Sequence, residues 1–150
     1  MLSGIPAPTR SLGLAGLIPF IGLAVLAIAG DEAIRAAALR AQIGYGAVIV
    51  SFLGALHWGI AVQTPALASW PRMAWGVTPS LLGWVALLLP PLPALVLLAA
   101  VLLAALVFDE FSFGGDDRRA WFLKLRRLLS IGAMLALLAT LISIVVKGAV

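Results

Sequence analysis

The sequence predicts an all-α fold, a polytopic bundle of five transmembrane helices forming one domain over residues 1–150. Three observations carry this expectation. Hydrophobic residues make up 63% of the chain and charged residues 11%, with a mean hydropathy of +1.16; a soluble domain is about half apolar and about a quarter charged. The charges are clustered and leave long uncharged stretches, as spanning helices require. Glycine and proline fall at breaks between those stretches, at Gly30 and at Pro90-Pro91.

Five segments meet or approach the roughly 20 apolar residues that cross a ~30 Å hydrocarbon core as a helix. They run over about 11–29, 41–62, 73–89, 92–108 and 128–146. The first lies between Arg10 and the Gly30-Asp31 break. Its Ala27-Ile28-Ala29 end has the form of a signal-peptidase site, but the apolar run is longer than a signal core and contains Pro19, so a retained span is expected. Before the second, Asp31 is placed to cap a helix and Glu32 faces Arg35. This alanine-rich stretch is either an interfacial turn or an extension of the second helix, with Gly44-Tyr45-Gly46 as a point of bending. Pro90, Pro91 and Pro93 end the third segment in an uncharged turn, which makes the third and fourth an antiparallel hairpin. The fifth closes at Lys147.

Five crossings put Arg10, Arg72, Arg118, Arg119, Lys124, Arg126 and Arg127 on the side of the N-terminus and leave Arg35, Arg40 and Lys147 opposite. Basic residues concentrate on the cytoplasmic side, so the N-terminus is expected there and the C-terminus outside. The segment from Asp116 to Arg127, with Arg118, Arg119, Lys124, Arg126 and Arg127 among aromatic and aliphatic residues, reads as an interfacial anchor. The net charge of +4 resides mostly there, an orientation signal before it is a nucleic-acid patch. No nucleic-acid partner is expected.

The chain has no cysteine, hence no disulfide, thiolate metal site or redox pair. It has one histidine, and its carboxylates lie at span ends or in loops, so no metal is expected. No P-loop, dinucleotide fingerprint, nucleophile elbow or paired intramembrane carboxylates occur. A lone axial histidine could ligate a haem iron, but no cofactor and no catalytic residue are expected.

His57 is the one ionisable side chain well inside a predicted span. Such a residue is a functional hypothesis by default, against the plainer reading of an imidazole hydrogen-bonded to a neighbouring helix as structural glue. Gly54 and Ala61 lie one turn to either side and Gly46 on nearly the same meridian, a small-residue face that turns His57 into the bundle. Thr78, Pro79 and Ser80 sit at about its depth on the third helix. Pro79 frees the carbonyl of Trp75, so that carbonyl, Thr78 and Ser80 are the expected partners of the imidazole. Asp109 and Arg126 lie towards the same end, and the five residues His57, Thr78, Ser80, Asp109 and Arg126 form the candidate polar cluster. A carboxylate that reached His57 would favour the imidazolium and a proton-linked role. Gly132, Ala136 and Thr140 make a small-residue packing stripe on the fifth helix, facing either its own bundle or a second copy. Trp70, Trp75 and Trp121 fit an interfacial belt, and Trp58 and Trp84 read as packing.

The stretches SFLGALHWG (Ser51 to Gly59), WGVTPSLLGW (Trp75 to Trp84) and WFLKLRRLLS (Trp121 to Ser130), with the opening LGLAGLIPF (Leu12 to Phe20), resemble the bacterial and mitochondrial family typified by transmembrane protein 69, defined by a domain of unknown function. The resemblance covers nearly the whole chain, and His57-Trp58-Gly59 is its most specific part. It implies a five-helix protein of the bacterial inner membrane, with the C-terminus then periplasmic, and no biochemical activity. The function expected from the residues is that of an accessory or interaction protein, with the bilayer and another membrane protein or a second copy as partners. The alternative is a conduit or carrier for protons or a small solute, using His57 beside the proline-broken third helix.

Overall fold

The computed structural model describes residues 4–113, 115 and 120–147, and every regular element among them is helical. The helices are α1 (Ala7–Ala15), α2 (Leu17–Ala29), α3 (Glu32–Gln63), α4 (Trp70–Leu88), α5 (Pro91–Phe113) and α6 (Ala120–Lys147), with one 3₁₀ turn at Pro65–Leu67. Helices α1 and α2 are two parts of a single rod, which gives the five-helix bundle expected. Four rods are long and apolar enough to cross a membrane: Ala7–Ala29, Glu32–Gln63, Pro91–Phe113 and Ala120–Lys147. Helix α4, 19 residues long, falls outside that set because tryptophan, proline, Arg72, Thr78 and Ser80 dilute its apolar content.

The first rod breaks at Gly16 because Pro19 has no N–H to bond the carbonyl of Ala15. Helix α3 ties down the broken region. Its Tyr45 hydroxyl donates to the Gly16 carbonyl at 2.9 Å, and its Gln42 amide donates to the Phe20 carbonyl at 3.2 Å. The Phe20 ring meets Tyr45 edge-on at 5.0 Å. Interhelical bonds of this kind hold membrane helices together where no hydrophobic force drives them.

Three boundaries differ from the expectation. Helix α3 starts at Glu32, not near 41, and runs unbroken through Gly44-Tyr45-Gly46. Asp31 caps it by accepting from the Ile34 N–H at 2.9 Å, while Arg35 donates back to the Gly30 carbonyl at 3.4 Å. Helix α5 continues past 108 to Phe113, and α6 begins at Ala120, eight residues before 128. In each case polar residues taken for a span's end lie inside a helix. The hairpin between α4 and α5 turns through Leu89 and Pro90 alone.

Helix α3 is central, packing on α2, α4 and α5, while α6 packs on α2 and α5. Its contact with α4 is a crossing of glycines. A Cβ on Gly54 would stand 2.6 Å from the Gly76 carbonyl oxygen and 3.2 Å from the Pro79 ring, and one on Gly83 would stand 3.0 Å from the Ala47 carbonyl oxygen. Gly46 faces Leu98 of α5. On α6, Gly132 faces Leu17 of α2, with Ala136 and Thr140 buried along the same stripe. That stripe therefore packs within the chain's own bundle. Trp58 and Trp84, expected as interior packing, lie on the outside at 48% and 59% exposure.

Gly54→Ala should destabilise the protein by about 1–3 kcal/mol, as overpacking does. Gly59→Ala on the same helix meets open space and should be neutral or stabilising, since alanine is the better helix former. Thermal unfolding of both variants in one detergent checks the contrast.

Candidate functional site

The site is built at the end of the bundle where α3 and α5 finish and α4 and α6 begin. His57 lies six residues before the end of α3, on the face that also buries Gly54 and Ala61. Asp109 lies one turn before the end of α5, and Arg126 six residues into α6. These helical positions bring three ionisable groups together. His57 Nε2 is 3.0 Å from Asp109 Oδ1, and Arg126 Nε donates to Asp109 Oδ2 at 2.5 Å. Arg126 Nη1 donates in turn to the Ser130 hydroxyl, one turn along α6, at 3.2 Å. His57 is 0% exposed, Asp109 1% and Arg126 6%.

An ionised carboxylate offers only acceptors. The Nε2 of His57 is then the donor to it. One carboxylate thus joins α3 to α6, two helices with little direct packing between them. Charge-assisted bonds to both oxygens are the arrangement that offsets the cost of burying these groups.

Aromatic rings enclose the imidazole. Phe113 stacks on it at 5.6 Å with planes 7° apart, and Phe108 meets it edge-on at 5.0 Å. Phe108 also stacks on Trp75 of α4 at 4.8 Å, and Phe113 meets Phe122 of α6 edge-on at 5.8 Å. The Arg72 guanidinium of α4 lies 5.6 Å from the Phe113 ring centre, a cation–π arrangement. Two nitrogens of the triad, His57 Nδ1 and Arg126 Nη2, are buried without a hydrogen-bond partner among the described residues.

The candidate cluster therefore divides. His57, Asp109 and Arg126 come together. Thr78 and Ser80 do not join them: the Thr78 hydroxyl donates to the Ala74 carbonyl of its own helix at 2.9 Å, and His57 takes Asp109 as its partner in place of the α4 groups. Equal depth in a bundle does not put side chains on facing sides, and the α4 surface turned to α3 is that of Gly76, Pro79 and Gly83. The indole of Trp58 covers Gly76 and donates to the Met73 carbonyl at 3.2 Å.

The basic segment divides too. Arg126 is buried in α6 beside Leu123 and Leu125, so this part is a packed helix where an interfacial anchor was expected. Lys124 and Arg127 face outward, and Arg127 pairs with Glu110 at 2.5 and 2.7 Å in a two-bond fork. Arg118 and Arg119 lie outside the described residues. Sequence reasoning missed Ser130, Gln42 and Tyr45. The signal for the last two was their spacing of three residues, one face of α3, opposite a rod that carries both a glycine and a proline.

Comparison with known proteins places this geometry in context. A family model described as a protein of unknown function (DUF3429) matches residues 5–142. Transmembrane protein 69 of Xenopus tropicalis is 37% identical over 147 residues, covering 95% of this chain and 56% of the relative. Transmembrane protein 69 of Mus musculus is 27% identical over 139 residues, covering 91% of this chain and 56% of the relative. The chain thus spans about half the length of the curated relatives it matches. No solved structure matches it.

Asp109→Asn should destabilise the bundle by about 3–5 kcal/mol, because it strands the buried Arg126 charge. Replacing the pair together, Asp109→Leu with Arg126→Met, should recover most of that loss. Glu110→Gln, at the exposed pair, should leave stability nearly unchanged. Unfolding curves of the three variants beside the unsubstituted protein check the order.

Proposed function

The chain belongs to the DUF3429 family of proteins of unknown function, and from that premise we propose that it is a non-enzymatic accessory protein of the membrane, a rigid helix bundle that engages another membrane protein or a second copy of itself. One observation supports this reading above others: the ionisable groups of the site are spent on one another. His57, Asp109, Arg126 and Ser130 form a buried chain of bonds across three helices. An enzyme site needs a nucleophile, acid or base placed to meet a substrate, and here the acidic and basic groups meet each other. The packing stripes on α3 and α6 serve the same end, a stiff scaffold whose outer surface does the work.

The setting we propose is the bacterial inner membrane, with the N-terminus cytoplasmic and the C-terminus periplasmic. The support is the asymmetry of basic residues between the two ends. Reporter fusions after Val150 and within 114–119 should give opposite signals; matching signals would overturn the orientation.

Purification of the tagged protein from its native membrane in mild detergent tests the accessory role. A stoichiometric partner, or a discrete oligomer, is the expected result. A monomer without partners overturns it. A second reading, a proton-linked conduit, is favoured by the contact of Asp109 on His57 together with the unpaired Nδ1. Its mark would be a proton flux in reconstituted vesicles that His57→Phe abolishes while the protein still folds; the accessory role predicts no such flux.

A further inference from the structure

At the end away from Asp109, the α4–α5 hairpin stops short of the rods around it. Gly83 of α4 lies against Ala47 of α3, and Gly46 of α3 lies against Leu98 of α5. Seven residues on from Gly83 is Pro90, and seven back from Ala47 is Arg40. Seven back from Leu98 is Pro91, and seven back from Gly46 is Leu39. Both pairs set the hairpin turn level with Leu39 and Arg40. Helix α3 goes on past that level to Glu32, about 12 Å at 1.5 Å per residue. The first rod and α6 go on with it, since Gln42 bonds Phe20 while Lys147 bonds Ile28 near the end of that rod. The bundle therefore has a step, with the hairpin turn as its ledge.

Arg40 stands over that ledge. Residues seven apart share a face of a helix to within about 20°, so Arg40 leaves α3 on the face that Ala47 turns to α4, at the level where α4 has ended. Leu39 beside it is buried, whereas Arg40 is exposed. The ledge carries no polar side chain from Leu88 to Leu92, and Ala33, Ala37 and Ala41 are the exposed neighbours on α3. Arg40 makes no hydrogen bond or ion pair among the described residues. Eight residues separate Phe20 from Ile28 and two separate Gln42 from Arg40, which sets Arg40 roughly 9 Å inside the level of Lys147. A cation at such a depth is costly without a counter-charge, and a bilayer meets it by thinning locally around it.

We propose that this step is a phospholipid site, in which the phosphate of one lipid from the leaflet away from Asp109 accepts from the Arg40 guanidinium while its glyceryl end rests on the exposed Leu88 and Leu89. Guanidinium and phosphate match in charge and in two-bond geometry. The carboxylates of this end, Asp31 and Glu32, lie two turns or more along α3 from Arg40, and Asp31 is taken up by the Ile34 N–H. The site does not depend on the accessory role proposed above and lies at the opposite end of the bundle from His57.

The test takes the full chain from vesicles of equal parts phosphatidylglycerol and phosphatidylcholine into mild detergent and counts the retained phospholipid by native mass spectrometry. The unsubstituted protein should keep one. Arg40→Gln, at an exposed position, should lower the retained amount about tenfold, the effect of one charge-assisted bond of about 1.4 kcal/mol. Lys124→Gln, an exposed cation at the other end, should leave it unchanged. Retention of both lipids shows that the phosphate alone is recognised, and retention of phosphatidylglycerol alone shows that the net charge of the headgroup is read as well; either supports the site. Thermal unfolding of Arg40→Gln in lipid-free detergent separates a structural role, because an arginine that only caps the last carbonyls of α4 would lower stability there and leave retention as it was. That pattern, no retained phospholipid, or an equal loss with Lys124→Gln overturns the proposal.

Discussion

The bundle depends on one carboxylate. Asp109 receives Arg126 on one oxygen and His57 on the other, and it does so almost completely shielded. No member of this group is tolerable there alone, since an uncompensated charge or polar group in a medium of low dielectric costs several kcal/mol. Together they satisfy the carboxylate and fix the rotation of α3, α5 and α6 relative to one another. The adjacent Glu110–Arg127 pair repeats the α5–α6 link at the same seventeen-residue separation. Two consecutive acids thus meet two consecutive arginines, one pair inside and one outside.

Close packing elsewhere lets this happen. Gly54 and Gly76 bring α3 and α4 within backbone contact, and His57 lies on the same face of α3 as Gly54. Elsewhere side chains compensate broken backbone: midway along the bundle Tyr45 and Gln42 bond the first rod near its break, and at the end away from Asp109 Lys147 donates to the Ile28 carbonyl at 2.5 Å. In lipid a free carbonyl finds no water, so such donors hold elements that propensity alone would not. The result is a bundle tied together both at its charged cluster and at the opposite end.

Much of this was legible in the sequence, and the remainder failed for one physical reason. The helix count, the proline hairpin, the Asp31 cap and the inward face of His57 follow from hydropathy, turn chemistry and helical spacing, which are local. The ends of α3, α5 and α6 do not. Arg40, Asp109 and Arg126 look like residues of a water-exposed margin until the partner that neutralises two of them is known. Pairing is a tertiary fact. The same limit misassigned the partner of His57: depth along a helix can be counted from the sequence, but which α4 side chain faces α3 is decided by Gly76, Pro79 and Gly83 at the crossing.

The single histidine makes the central claim directly measurable. In protein labelled with ¹⁵N at histidine, the side-chain spectrum contains one residue only. The shared carboxylate predicts a proton on Nε2 in a strong hydrogen bond at neutral pH, and a clear change in that resonance on Asp109→Asn in protein that remains folded. An unprotonated Nε2, or a spectrum unmoved by the substitution, would mean that Asp109 does not hold His57 and that the bundle is organised around something else.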